Sequence, residues 1–379
     1  MTVKGSAGIS MLLMGAAIVV WSAQAPAEAP KAKPKAAAAY AAPRTSFGQP
    51  DLEGYWSNAT LTPESRAPGL GDKLVFTPEQ VAKLEGAAQH EKELLNKPLD
   101  PNAPPPSVGG DKLPEGTRPE FAAGGGATGG YNYGWLDPGM YVMRVHGEPR
   151  TSIITTTNGR APPFKAGATM GGGRRYAGGL GSFDNVESRS LGERCISSFG
   201  RNAEPPMLAN GFYNNDYQIV QSKDNVAILV EMVHDVRIIR LNGTHRTDGV
   251  RPYMGDSIGH WEGNTLVVET TNLPQAQAYH GSWKTLTVTE RFTRVGKDRL
   301  LYQFTISDPS LWDTSWGGEY EFSTLKGIVY EYACHEGNYA LADMLAGARA
   351  DEAMAAAAAA AAAPKPQVQA QSGAKPQVH

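Results

Sequence analysis

From Tyr217 onward, apolar and polar residues take turns in short runs, and this two-residue period constrains the fold more than any other feature. In 285–294, Leu286, Val288 and Phe292 alternate with Thr287, Thr289, Arg291 and Thr293, which puts one face inside and the other in water. Leu300, Tyr302, Phe304 and Ile306 repeat the pattern after Gly296-Lys297-Asp298. Similar runs at 217–221, 226–233, 236–241, 257–261, 265–271, 319–324 and 328–333 are punctuated by turn residues such as Lys223-Asp224-Asn225 and Glu262-Gly263-Asn264. Such a series predicts an antiparallel meander. Closing it into an up-and-down barrel removes the exposed sheet edges, so a mainly β, barrel-forming chain with a few peripheral helices is expected. A two-sheet β-sandwich is the alternative. The 43 glycines and 27 prolines, with no triplet period, argue against a helical bundle, a coiled coil and collagen alike.

The ends read differently. Lys4, the apolar run 9–20 and Ala23-Gln24-Ala25 predict a signal peptide over 1–25, too short to serve as a transmembrane span. A periplasmic or secreted chain with no stable membrane span after cleavage follows from it. Residues 26–43 are an Ala/Pro/Lys linker, and the consecutive alanines from Ala355 lead into a Pro/Gln/Lys tail, 355–379. Between them, 45–354 form a single β-rich domain. Thr77-Pro78-Glu79-Gln80 predicts a helix start, with Val81, Leu84, Ala88 and Leu95 carrying the helix over 78–97. A Gly/Pro-rich segment spans 98–181, a hairpin is predicted from 141–145 and 151–157, and Leu341, Leu345 and Ala348 predict a helix over 338–354. A net charge of −3 gives no electrostatic reason to expect nucleic acid or an anionic membrane as partner. The sequence does not indicate an oligomeric state.

Several residues carry chemistry. Cys195 and Cys334 are the two cysteines, and in an oxidising compartment they are expected to pair, with two buried free thiols or a catalytic cysteine as alternatives. Such a bridge would close a loop of about 140 residues, worth up to about 5 kcal/mol on the loop-entropy account. Gly255-Asp256-Ser257-Ile258-Gly259 matches the serine-hydrolase pattern, but a strand follows where that motif needs a helix. Gly124, Gly126 and Gly129 match a dinucleotide fingerprint without the strand and helix that would make it one. Glu231, His234 and Asp235 interrupt an apolar stretch in which Val226, Ile228, Val230, Met232 and His234 share a face by alternation. His335 and Glu336 follow the last predicted strand. Either His–carboxylate set suits general acid–base work, or is a turn histidine satisfied by its neighbours. No His-x-His, HExxH or paired Cys-x-x-Cys supports a metal, and no cofactor is expected. Tyr213, Tyr217, Trp261 and Trp316, with Trp283, Trp312 and Tyr320, supply aromatic surface for a small-molecule ligand or for the barrel core.

Gly54-Tyr55-Trp56 is similar to the Gly-x-Trp that opens the first strand of lipocalin-type barrels, which leans the expected barrel toward a calycin-like one. More broadly, the phrases Phe47-Gly48-Gln49-Pro50-Asp51-Leu52-Glu53-Gly54-Tyr55-Trp56, Tyr213-Asn214-Asn215-Asp216-Tyr217-Gln218-Ile219-Val220, Met254-Gly255-Asp256-Ser257, the run from Trp261 to Thr271 (WEGNTLVVETT) and that from Tyr330 to Tyr339 (YEYACHEGNY) resemble those of a large group of exported bacterial hypothetical proteins. The resemblance implies a bacterial, exported protein and carries over no catalytic residue. The expected function is therefore an exported barrel that binds a small apolar, aromatic or sugar-like molecule. The alternatives are a cofactor-independent lyase, isomerase or hydrolase using His234 or His335, and an envelope interaction protein.

Overall fold

The computed structural model describes residues 40–96, 102, 138–168, 183–198, 201–202, 204–209 and 215–362. The expected signal peptide, most of the linker and of the Gly/Pro-rich segment, Tyr213 and the tail beyond 362 lie outside the described residues. In chain order the elements are β1 (Gly54–Ser57), α1 (Pro78–Leu95), β2 (Arg144–Val145), β3 (Glu148–Pro149), β4 (Asp216–Gln221), β5 (Asn225–Val230), β6 (Val236–Leu241), β7 (Asp256–Glu262), β8 (Thr265–Thr271), β9 (Thr287–Gly296), β10 (Arg299–Ser307), β11 (Trp316–Thr324) and α2 (Ala340–Ala362).

Alternation places Val226, Ile228 and Val230 of β5 inside, with Val288 and Phe292 of β9 and Leu300, Tyr302, Phe304 and Ile306 of β10. These faces close into a nine-stranded barrel in the order β1-β11-β10-β9-β8-β7-β6-β5-β4. β1 completes the ring by pairing with both β11 and β4, so Gly-x-Trp does open a barrel strand. Trp56 lies buried there, its indole N–H donating to Leu52 O at 3.0 Å.

The barrel is mixed. β6 and β7 run parallel, with Ile239 opposite Ser257, because residues 242–255 carry the chain back along the barrel before β7 begins. Asp256 fastens this crossover, accepting from Arg246 N at 2.7 Å and Arg240 Nη2 at 2.6 Å, with His245 Nδ1 at 3.0 Å.

The predicted helix start is present: Gln80 N donates to Thr77 Oγ1 at 3.3 Å and Thr77 N donates to Gln80 Oε1 at 2.9 Å. Two strand expectations are corrected. The hairpin over 141–145 and 151–157 reduces to the two-residue ladder β2–β3, and 151–157 instead crosses the barrel rim, bridging β11 at Ile154 and Gly318. Residues 328–333 form no strand, because β1 already occupies the edge of β11 beside Thr324. They continue instead from Leu325, whose N–H donates to Tyr55 O at 3.0 Å, toward His234. The C-terminal helix forms as α2, longer than expected because the alanine run extends it, and none of its side chains is buried. No helix among the described residues is long and apolar enough to cross a membrane.

Candidate active site

β5, β8 and β10 end, and β6, β9 and β11 begin, at one mouth of the barrel. The connections 231–235, 272–286 and 308–315 therefore gather there. Residues 153–155 form a strap across the rim: Thr155 N donates to Gly317 O at 3.0 Å, and Glu319 N donates to Ile153 O at 3.1 Å. Gly318 allows this approach, since a Cβ there would lie 2.5 Å from Ile153 O. The strap in turn receives the chain after β1, with Ile154 N donating to Glu64 O at 3.0 Å. Glu64 is thereby carried to the mouth.

There it meets the 272–286 connection. Tyr279 OH donates to Glu64 Oε1 at 2.7 Å, and His280 Nε2 lies 2.9 Å from the same oxygen. His280 stands in the left-handed region, with φ of 46°, a conformation costly for a residue with a side chain. Tyr279 N and O exchange hydrogen bonds with Ser282, which fixes the turn that holds His280 there. Asp308 ties this connection to 308–315, accepting from Ser282 Oγ and from Thr285 Oγ1 at 2.7 Å.

Aromatic rings wall the pair. Trp316 stacks on Tyr279 at 5.7 Å and meets His280 edge-on at 5.3 Å, and Trp312 meets Trp316 edge-on at 5.4 Å. The guanidinium of Arg201 lies over Tyr279, 4.8 Å from its centroid. Burial would raise the pKa of Glu64, but hydrogen bonds from His280 and Tyr279, with the charges of His280 and Arg201, hold it below the ordinary carboxylate range. Tyr279 is pushed well above the ordinary tyrosine value, first by burial and then by the Glu64 charge. Glu64 is thus an anion and Tyr279 a fixed donor. His280 and Glu64 nonetheless keep 32% and 36% of their side-chain surface in solvent, and His280 Nδ1 has no protein partner among the described residues.

A second polar group adjoins the first. Glu204, fully buried, accepts from Ser197 Oγ and from Gln277 Nε2, two residues before Tyr279. Asp235 is raised to about 6, chiefly by burial and then by the charge of Glu204, with His234 acting the other way. No group of three or more His, Cys, Asp or Glu among the described residues is arranged to hold a metal ion.

The residues picked out in the sequence scatter around this mouth. His234 does not share the face of Val226, Ile228, Val230 and Met232. A 3₁₀ turn at Met232–His234, with Val233 and His234 at φ of 61° and 44°, breaks the alternation and turns His234 outward. Its Nδ1 lies 3.4 Å from Tyr332 O. Asp235 follows it, half-buried, while Glu231 is buried with its N–H on Asp216 O. His335 and Glu336 are both exposed, just past Cys334, which forms a disulfide with Cys195 across a Cα–Cα distance of 5.6 Å. Tyr217 is fully buried and stacked on Phe322, its OH accepting from Asn58 Nδ2 at 3.0 Å. Trp316 borders the His280 pair, whereas Trp261 lies near the far end of β7, beside the β7–β8 turn. Sequence reasoning missed Glu64, Tyr279, His280 and Arg201. Their one local mark is Tyr279-His280-Gly281, a turn-like triplet in a segment with no periodicity.

The interior of the barrel is filled by the protein itself. Trp56, Tyr217, Phe292, Tyr302, Tyr320 and Phe322 occupy it, around a buried ion pair. Arg237 donates to Glu290 through Nη1 at 2.6 Å and Nη2 at 3.0 Å, and Tyr302 OH donates to Glu290 Oε1 at 2.9 Å. Polar chemistry with access to solvent is thereby placed at the mouth. No protein-family model, curated protein or solved structure matches this chain.

Proposed function

We propose that this chain is an exported acid–base enzyme, a lyase, isomerase or hydrolase in which His280 moves a proton on a small polar substrate at the barrel mouth. The observation that carries this reading is the His280–Glu64 contact of 2.9 Å combined with an Nδ1 that has no protein partner among the described residues. A carboxylate on one ring nitrogen fixes the orientation of the imidazole and stabilises the cation formed when the other nitrogen accepts a proton. Tyr279 fixes the carboxylate by donating to the same oxygen. The backbone strain at His280 fits a side chain held in place for its chemistry. A ligand would meet Trp316 and Tyr279 at this rim.

The test is proton exchange. Wild-type protein is incubated in D₂O with a panel of small sugars, lactones and aromatic hydroxy acids, followed by proton NMR. Deuterium uptake or conversion of a panel member is expected, and its loss in both His280→Gln and Glu64→Gln. Turnover that persists in His280→Gln sinks the proposal.

A further inference from the structure

Two outer walls of the barrel differ in kind. On β9–β11 the outward positions include the polar Thr289, Arg291, Gln303, Thr305, Glu319 and Glu321 beside a buried Leu301, with the Glu319 and Glu321 side chains only 15% and 6% exposed where Arg150 and the His146 N–H meet them. On β4–β6 most of them are aliphatic. Val220, Ala227 and Ile238 form one cross-strand row, and Gln218, Leu229 and Val236 the next. Val220, Val236 and Ile238 are about half exposed, at 47%, 48% and 51%. Segment 325–332 borders this wall, running from Tyr55 O to His234, and adds Ile328 and Tyr330, both more exposed still.

We propose that this wall is where a second copy of the chain docks. Its exposed side chains present on the order of 600 Å² of apolar surface, at the upper end of the largest patch that a monomer ordinarily leaves in contact with water. That is close to the roughly 800 Å² that each partner contributes to a standard interface. The two rows contain no charge, so apposing two identical walls brings no like charges together. Arg240 lies at the edge and is held by Asp256 at 2.6 Å, and the bordering segment carries one exposed charge of each sign, Lys326 and Glu331. Two such faces can pack as aligned sheets about 10 Å apart, in an isologous contact where Ile238 of each copy faces the apolar rows of the other.

Sedimentation equilibrium of the full chain over a wide concentration range tests this. Wild type is expected to reach a dimer mass, Ile238→Lys to raise the dissociation constant by at least about tenfold with unchanged far-ultraviolet circular dichroism, and Thr305→Lys on the polar wall to change nothing. If Ile238→Lys fails to fold, Val220→Lys on the same row replaces it. A wild type that stays monomeric overturns the proposal, whether its wall proves protected from hydrogen exchange by α2 or the protein floats with phosphatidylglycerol vesicles. A dimer that survives Ile238→Lys or Val220→Lys overturns it as well.

Discussion

Glu290 and Glu64 are two versions of one arrangement. Each carboxylate accepts a hydrogen bond from a tyrosine hydroxyl, Tyr302 or Tyr279, and each faces a basic side chain, Arg237 or His280. They differ in access to water. Arg237 and Glu290 are sealed in the barrel, with side-chain exposures of 1% and 0%, and the guanidinium is held bidentately. Burial alone would lower Arg237, but the Glu290 carboxylate drives it above its ordinary value, so it remains charged. Glu64 and His280 stand at the rim, with 36% and 32% of their side chains exposed. A tyrosine, a carboxylate and a basic side chain are thus sealed inside the barrel in one place and reach solvent at its rim in the other.

Breaking the sealed pair should have the largest effect. Arg237→Ala leaves the Glu290 charge buried and is expected to cost about 3–5 kcal/mol in chemical denaturation. Combining Arg237→Met with Glu290→Gln removes both charges, keeps an acceptor for Tyr302 and should recover most of that loss. A mild single variant would mean that the interior is wetter than the rim comparison requires.

Glu64→Gln should cost about 1 kcal/mol or less at neutral pH, since the pair is partly solvated, while abolishing proton exchange. Its pH dependence has a definite sign. The folded-state value of Glu64 is lowered from 4.5, so its contribution is present above that value and lost as pH falls through the lower one. The stability gap between wild type and Glu64→Gln should therefore close in the acid range, below the ordinary value of 4.5. A gap that widens on acidification would reverse the assignment.

The smallest effects belong to the histidines chosen from sequence. His234→Ala and His335→Ala remove exposed side chains and should each change stability by no more than about 0.5 kcal/mol, with proton exchange intact. Loss of exchange in His234→Ala would move the chemistry toward Asp235 and Glu204.

What was legible follows from the range of the contacts. Alternation in β9 and β10 is written within single strands, and so could be read directly. Thr77 and Gln80 are three residues apart and cap the same helix end. Cys195 and Cys334 were the two cysteines available to pair. The parallel β6–β7 pairing leaves no such mark, since it depends on which way 242–255 crosses the barrel. Glu64 and His280 lie 216 residues apart in loops without periodicity, and they meet because Gly318 lets the 153–155 strap close on β11. His234 was misplaced for a local reason: Val233, β-branched and at positive φ, is a residue whose conformation its own type disfavours.

β1 is the first barrel strand made and the last to have both of its edges paired. Both of its neighbours come later in the chain, β11 as late as Thr324. At about 5–20 residues per second, the stretch from Ser57 to Thr324 takes on the order of tens of seconds to synthesise. Once β4 is made, β1 can pair with it, Trp56 opposite Tyr217, but until β11 follows the sheet has an open seam on β1's other side. The vulnerable surface of the unclosed sheet is thus the seam between β1 and β11, and an escort that covers that seam protects it more fully than one that recognises loose hydrophobic side chains.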